Sequence, residues 1–180
     1  MEPTLAQLWR EAGVAMEAGR PGEALAAVDQ ALVTAPNDAA FVIQRSKLLR
    51  ALGDADNARA AAVRAVRLAP TAASAHAQLG LAYLEQKKLA NAESSFRKAL
   101  EFERANAEAL MGYAQLRLRQ KRLPEAEAML MDAIRANPRH SELYIVLGDV
   151  LGARGNQSGM IESYRRARDI DPLNRAAGEK

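Results

Sequence analysis

Apolar residues recur along this chain at spacings of three and four, and the pattern returns every 34 residues. Such spacing lines one face of a helix with apolar side chains. Proline marks the period at Pro36, Pro70, Pro138 and Pro172, while Arg104 stands at the remaining point. The period divides the sequence, without insertion or deletion, into repeats at residues 5–38, 39–72, 73–106, 107–140 and 141–174, followed by a short tail at 175–180.

Small residues occupy fixed positions when each repeat is numbered from 1 to 34. Position 8 holds Ala12, Ser46, Gly80, Ala114 and Gly148, and positions 20 and 27 hold alanine everywhere except at Met160. Small side chains let two helices approach closely. Gly19, Gly53 and Gly155 at position 15 suit the left-handed residue that ends a first helix, and Pro124 suits the first turn of a second. Each repeat is therefore predicted to be a helix-turn-helix.

This arrangement resembles the tetratricopeptide repeat family, whose signature combines small residues at positions 8, 20 and 27 with proline at 32. The third repeat follows that signature closely through Leu79, Gly80, Tyr83, Ala92, Phe96 and Ala99. The resemblance implies an all-α fold, a right-handed α-solenoid of five hairpins that forms a single domain over residues 1–180. It also implies a scaffold or adaptor that binds another protein, since such repeats serve where a curved binding surface is needed.

Three departures from the family pattern carry their own expectations. Because Arg104 replaces proline, we expect the helix before it to run on towards the next hairpin. Arg117 occupies position 11, which is usually apolar. The segment 155–159 is poor in helix formers and precedes Met160, so we expect the fifth hairpin to be the least stable.

The family resemblance also implies a binding groove, because the first helices of successive repeats line its concave surface at positions 2, 5, 6, 9, 12 and 13. The predicted groove residues are Trp9, Ile43, Gln44, Lys47, Arg50, Gln78, Leu81, Leu84, Met111, Gln115, Leu118, Arg119, Ile145 and Val146. The aliphatic members are expected to form an exposed strip, which indicates a partner. The glutamines can bond a peptide backbone, and the cations can recognise charge at the rim. The expected ligand is an apolar or amphipathic peptide segment.

Two alternatives stay open for these residues. The aliphatic side chains can instead pad contacts between helices, and Trp9 can cover the first hairpin rather than line the groove. Some family members bind acidic chaperone tails through a clamp of lysine, arginine and asparagine. The corresponding positions here hold Trp9, Gly13, Gln44, Ser74 and Gln78, so that clamp is absent.

Chemistry-bearing residues are few, and they do not converge as a catalytic site requires. The chain has no cysteine and two histidines. His76 stands where the family has a large ring, which favours packing against the next helix, and His140 falls in a loop between repeats. No glycine-rich phosphate loop or metal-ligand spacing occurs. We therefore predict neither an enzyme nor a bound cofactor or metal.

Charge argues against nucleic acid as the partner. The net charge is +3, and acidic neighbours largely cancel both the basic run at 117–122 and the cluster at 165–168. An RNA-binding helical repeat is thus the less favoured alternative. No stretch reaches the length of a membrane span, and residues 1–20 lack a signal sequence, so we expect a cytoplasmic protein without direct membrane insertion. A segment of an exported protein, or of a larger bacterial enzyme or envelope-assembly protein, would share these features.

The C-terminal edge of the predicted stack lacks a covering helix. Its last helix carries the apolar residues Ile161, Tyr164 and Ile170, and only residues 175–180 follow the repeats. Terminal repeats normally present a polar outer face. We therefore expect this hairpin to form a homo-oligomer or to need a further segment.

Overall fold

A computed structural model of the protein describes residues 3–172 and is entirely helical in its regular structure over that range. The helices are α1 (Leu5–Glu17), α2 (Pro21–Thr34), α3 (Ala39–Ala51), α4 (Ala55–Leu68), α5 (Ala73–Glu85), α6 (Leu89–Phe102), α7 (Ala107–Arg119), α8 (Leu123–Ala136), α9 (Ser141–Ala153) and α10 (Gln157–Ile170). They pair as five hairpins, which confirms the predicted right-handed α-solenoid. Residues 173–174 of the fifth repeat and the tail at 175–180 lie outside the described residues.

Side-chain caps begin several of the first helices. Thr4 forms a capping box with Gln7 at the start of α1, and the Asp38 carboxylate accepts hydrogen bonds from two backbone amides of α3. Such caps satisfy amide groups that have no partner within the helix. None of the helices formed by residues 3–172 is both long and apolar enough to cross a membrane.

The prediction that α6 would run on past Arg104 is wrong, because α6 ends at Phe102 in the same register as the other second helices. Asn106 accounts for this end. Its side chain caps α7 by accepting from a backbone amide, and its amide group donates to the Glu103 carboxylate at 2.8 Å. The side-chain cap that begins α7 therefore separates it from α6 in place of the missing proline.

Left-handed residues end the first helices, as the glycines at position 15 predict. Gly19, Gly53 and Gly155 have φ angles of 68°, 79° and 78°. In the third and fourth repeats the same conformation falls to Lys87 and Lys121, each with φ of 59°. A side chain makes this conformation costly, so these two turns are strained.

Phe96 belongs to the core cluster around the third repeat and explains why small residues line the helices around it. Its ring is fully buried between α5, α6 and α7. A Cβ atom built on Gly80 or Gly112 would lie 2.5 Å from Phe96 ring carbon atoms. The three helices can meet at this distance only because those positions have no side chain.

Arg117, the polar departure from the family pattern, is buried and fully engaged. Its guanidinium donates to Glu93 at 2.8 Å and to Gln120 at 2.6 Å, and it lies 4.7 Å from the centre of the Tyr113 ring. The Tyr113 hydroxyl also donates to Glu93 at 3.0 Å. The hydrogen bond from Arg117 lowers the pKa of Glu93. These partners offset the cost of burying the charge, so Arg117 joins α6 to α7.

Candidate functional site

The centre of the concave face is closed, and the predicted exposed apolar strip is wrong there. Leu81 and Leu84 are 3% and 2% exposed, and Ile145 and Val146 are buried as well. The physical reason is the close approach of the first helices, since α5 contacts both α3 and α7, and α7 contacts α9. A Cβ atom on Gly112 would lie 2.9 Å from a Leu81 methyl carbon.

The remaining aliphatic groove residues are half-buried. Met111 and Leu118 pack against the core cluster of the fourth and fifth repeats, and Ile43 packs against the cluster around Val42. Met111 and Leu118 therefore fit the alternative in which groove positions pad helix contacts. Ile43 keeps part of its surface open on α3.

Hydrogen bonds and ion pairs cross the middle of the concave face, and we call them the concave polar network. Arg50 donates to Glu85 at 2.8 Å and to Gln78 at 3.2 Å. Gln78 donates to Glu108 at 2.9 Å, and Glu108 also accepts from Lys47 at 3.0 Å. Lys47 and Glu108 belong to the second and fourth repeats, so their contact spans the repeat between them.

The network changes the role of two groups expected to face a ligand. Gln78 is 1% exposed and bonded at both ends of its amide, so the prediction that it faces a peptide is wrong. Arg119 donates to the backbone carbonyl of Leu84 at 2.7 Å. By contrast, the half-buried Gln44 and Gln115 make no side-chain hydrogen bond within residues 3–172.

The two histidines both have structural partners. His76 is buried, with Nε2 2.8 Å from the Pro70 carbonyl oxygen and its ring against Phe102, which confirms its packing role. His140 is half-buried rather than solvated, and its Nδ1 lies 2.9 Å from the Glu142 carboxylate. That carboxylate raises the pKa of His140, and the pKa of Glu142 is lowered in turn. No group of three His, Asp or Glu residues in the described part of the chain is arranged to hold a metal ion.

The concave face stays open at its N-terminal end. Trp9 is 46% exposed and touches α3 through its ring, which stands edge-on to Phe41 at 5.1 Å between centroids. One turn further along α1, a Cβ atom on Gly13 would find nothing within 4 Å. We define the N-terminal groove as Trp9, Gly13, Ile43, Gln44 and Lys47. It combines an exposed ring, a gap in the form of open surface at Gly13, a half-buried aliphatic chain, an unbonded amide and a cation.

Comparison with known proteins agrees with this architecture. The tetratricopeptide repeat family matches the sequence over residues 43–107 and again over residues 83–150. A curated relative, cellulose synthase operon protein C of Xanthomonas axonopodis pv. citri, is 40% identical over 87 residues. That match covers 48% of this chain and only 6% of the length of the relative.

Solved structures share the fold at low sequence identity. TTC0263, a thermophilic tetratricopeptide repeat protein of Thermus thermophilus, aligns over 98% of this chain and 96% of its own, with a TM-score of 0.87 and 18% identity. YrrB, described as a tetratricopeptide repeat protein with an unusual peptide-binding site, aligns over 98% and 91% with a TM-score of 0.57 and 18% identity. MamA of Desulfovibrio magneticus RS-1 aligns over 97% and 99% with a TM-score of 0.60 and 18% identity.

These matches, the 34-residue period and the ten described helices lead to one assignment. The chain belongs to the tetratricopeptide repeat family and forms five tandem repeats.

Proposed function

We propose that this protein is an interaction module that binds an amphipathic peptide segment of a partner in its N-terminal groove. The observation that carries the proposal is the exposed Trp9 beside the gap at Gly13. Large aromatic side chains that can be desolvated are the residues that most often dominate binding energy. The family and fold support the broader role, because stacked helical repeats present extended concave surfaces to partners.

The groove residues define the kind of peptide that fits. An aliphatic or aromatic side chain of the ligand would lie over the open surface at Gly13, against the exposed ring of Trp9. The Gln44 amide can donate to and accept from a peptide backbone, as an unbonded amide at a groove wall allows. Lys47 retains exposed surface beside its bond to Glu108, so it favours an acidic residue next to the apolar one. The ligand is therefore a short segment with an apolar anchor and an acidic neighbour.

The comparisons support binding in general rather than a particular partner. YrrB is only 18% identical to this chain and aligns with a TM-score of 0.57, so we do not carry the place of its peptide site over to this chain. The match to the cellulose synthase operon protein covers 6% of that protein and supports the repeat fold alone. We assign no part of cellulose synthesis to this chain.

The test begins with a peptide selected on the immobilised protein from a random phage-displayed library. Fluorescence anisotropy of the labelled peptide then gives the dissociation constant for each variant. Trp9→Asp places a charge in the groove, and Val33→Asp is its matched control, because Val33 is 83% exposed on the second helix of the same repeat. Gly13→Leu fills the gap without removing any contact.

We expect Trp9→Asp and Gly13→Leu each to weaken binding at least tenfold, whereas Val33→Asp leaves it unchanged. Circular dichroism checks that all three variants remain folded. The proposal fails if the selected peptides bind the two groove variants as tightly as the native chain. It also fails if the library yields no peptide whose binding depends on the groove residues.

A further inference from the structure

We propose that the two ends of the solenoid form an interface with each other, so that a second copy of this chain stacks head to tail on the first. The N-terminal face is the outer side of α1 and α2, and the C-terminal face is the outer side of α10. The contacts between neighbouring repeats inside the chain indicate which residues of a second copy would contact each of these faces.

The N-terminal face leaves open a position that the other repeats bury completely. Position 10 of repeats two to five holds Leu48, Ala82, Leu116 and Val150, each of which is 0% exposed. Leu48, Leu116 and Val150 belong to core clusters that include residues of the preceding repeat. The same position in the first repeat holds Val14, which is 59% exposed. Val14 lines a cleft of about 560 Å³ between α1 and α2, together with Glu11 and Ala15.

The C-terminal face carries the apolar residue that such a cleft receives. Inside the chain, Leu25 at position 21 of the first repeat packs against the clusters that contain Leu48 and Leu49 at positions 10 and 11 of the second. Position 21 of the last repeat holds Ile161, which is 54% exposed. Continuing the same stacking across two copies would place Ile161 against Val14 and Ala15.

Charge is complementary in the same register. Within the chain, Asp29 at position 25 of the first repeat pairs with Arg45 at position 7 of the second at 2.7 Å. The two end faces carry the reverse arrangement, with Arg165 at position 25 and Glu11 at position 7. A second copy stacked like a further repeat would therefore pair Arg165 with Glu11.

Two further residues of the last helix affect the proposed contact, and one of them corrects a prediction made from the sequence. Tyr164 was expected to face outwards, but it packs over Gly148 and its hydroxyl donates to Asp149 at 2.7 Å. Position 28, which is apolar in repeats one to four, holds Arg168. The interface is thus partly polar, and association depends on protein concentration. Because a dimer joined head to tail still has one free N-terminal face and one free C-terminal face, the mass should rise beyond that of a dimer.

Sedimentation velocity over a concentration series, with the full chain, tests the proposal through charge reversal. Glu11→Arg and Arg165→Glu should each lower the apparent association constant about tenfold, since each opposes like charges in the contact. An equimolar mixture of the two variants should restore association, because every contact in an alternating chain then pairs opposite charges. Glu101→Arg and Lys98→Glu make the same charge changes at exposed positions of the third repeat and should have no effect.

Each contrary result overturns the proposal. A native chain that stays monomeric at the highest concentration means that the end faces do not meet. Sensitivity to Arg165→Glu without sensitivity to Glu11→Arg indicates a two-fold contact through the C-terminal face alone. Failure of the mixture to associate, when each variant is folded by circular dichroism, excludes the paired register.

Discussion

Replacing Gly112 with alanine tests the closed centre of the concave face directly. The new Cβ atom would lie 2.5 Å from two Phe96 ring atoms and 2.9 Å from a Leu81 methyl carbon. Phe96 is fully buried, so its ring cannot move aside into solvent. Overpacking of this kind costs about 1–3 kcal/mol, while alanine in place of a helical glycine contributes about 0.5–1 kcal/mol of stability. We expect a net loss of about 0–2.5 kcal/mol in the free energy of unfolding.

Gly13→Ala is the matched control for this experiment, because Gly13 lies inside α1 and nothing lies within 4 Å of its Cβ position. Only the helix-forming gain applies there, so this variant should be more stable by about 0.5–1 kcal/mol. Urea denaturation followed by circular dichroism measures both. If Gly112→Ala stabilises the protein as much as Gly13→Ala does, then α7 does not approach α5 and Phe96 as closely as described, and the account of the closed centre is refuted.

Three further predictions concern local strain and charge. Lys121→Gly should raise the free energy of unfolding by about 0.5–1 kcal/mol in urea denaturation. The reason is that the relief of left-handed strain exceeds the entropy that glycine adds to the unfolded chain. A lower free energy of unfolding in this variant would contradict the positive φ of Lys121. The pKa of Glu93 is lowered by Arg117, so its stabilisation is present above its ordinary pKa of 4.5 and is lost as pH falls through the folded value. Glu93→Gln should flatten this acid limb, and an unchanged limb would argue against the pair. The pKa of His140 is raised by Glu142, so the contribution of this pair to stability is fully present below pH 6.5 and is lost as pH rises through the folded pKa. His140→Gln should abolish this loss of stability in denaturation curves measured across pH.

The repeat period accounts for most of what could be predicted from the sequence. Small residues at fixed positions and glycines at helix ends determine where each hairpin begins, turns and contacts its neighbour, and these are local features. The effect of helix capping on where a helix ends was harder to predict. Asn106 overrides the missing proline at Arg104, and its position just before the apolar pattern of α7 was the available signal.

The openness of the groove could not be read from the repeat pattern, because it depends on how closely successive first helices approach one another. Gly112 at a groove position was the signal for close approach, since it leaves room for Leu81. Contacts between residues far apart in sequence, such as Lys47 with Glu108, complete the closure. In the sequence, this network is indicated by the acidic residues at groove positions that pair with the cations. Leu81, expected to contact a ligand, is instead core.

The emission of Trp9 on addition of the selected peptide tests the central claim most directly. Trp9 is the single tryptophan of the chain, so its fluorescence reports the N-terminal groove alone. Burial of its exposed ring should shift the emission to shorter wavelength, and the shift should saturate with the dissociation constant found by anisotropy. If the peptide reaches saturation while the Trp9 emission stays unchanged, the partner binds another surface and the proposed site is wrong.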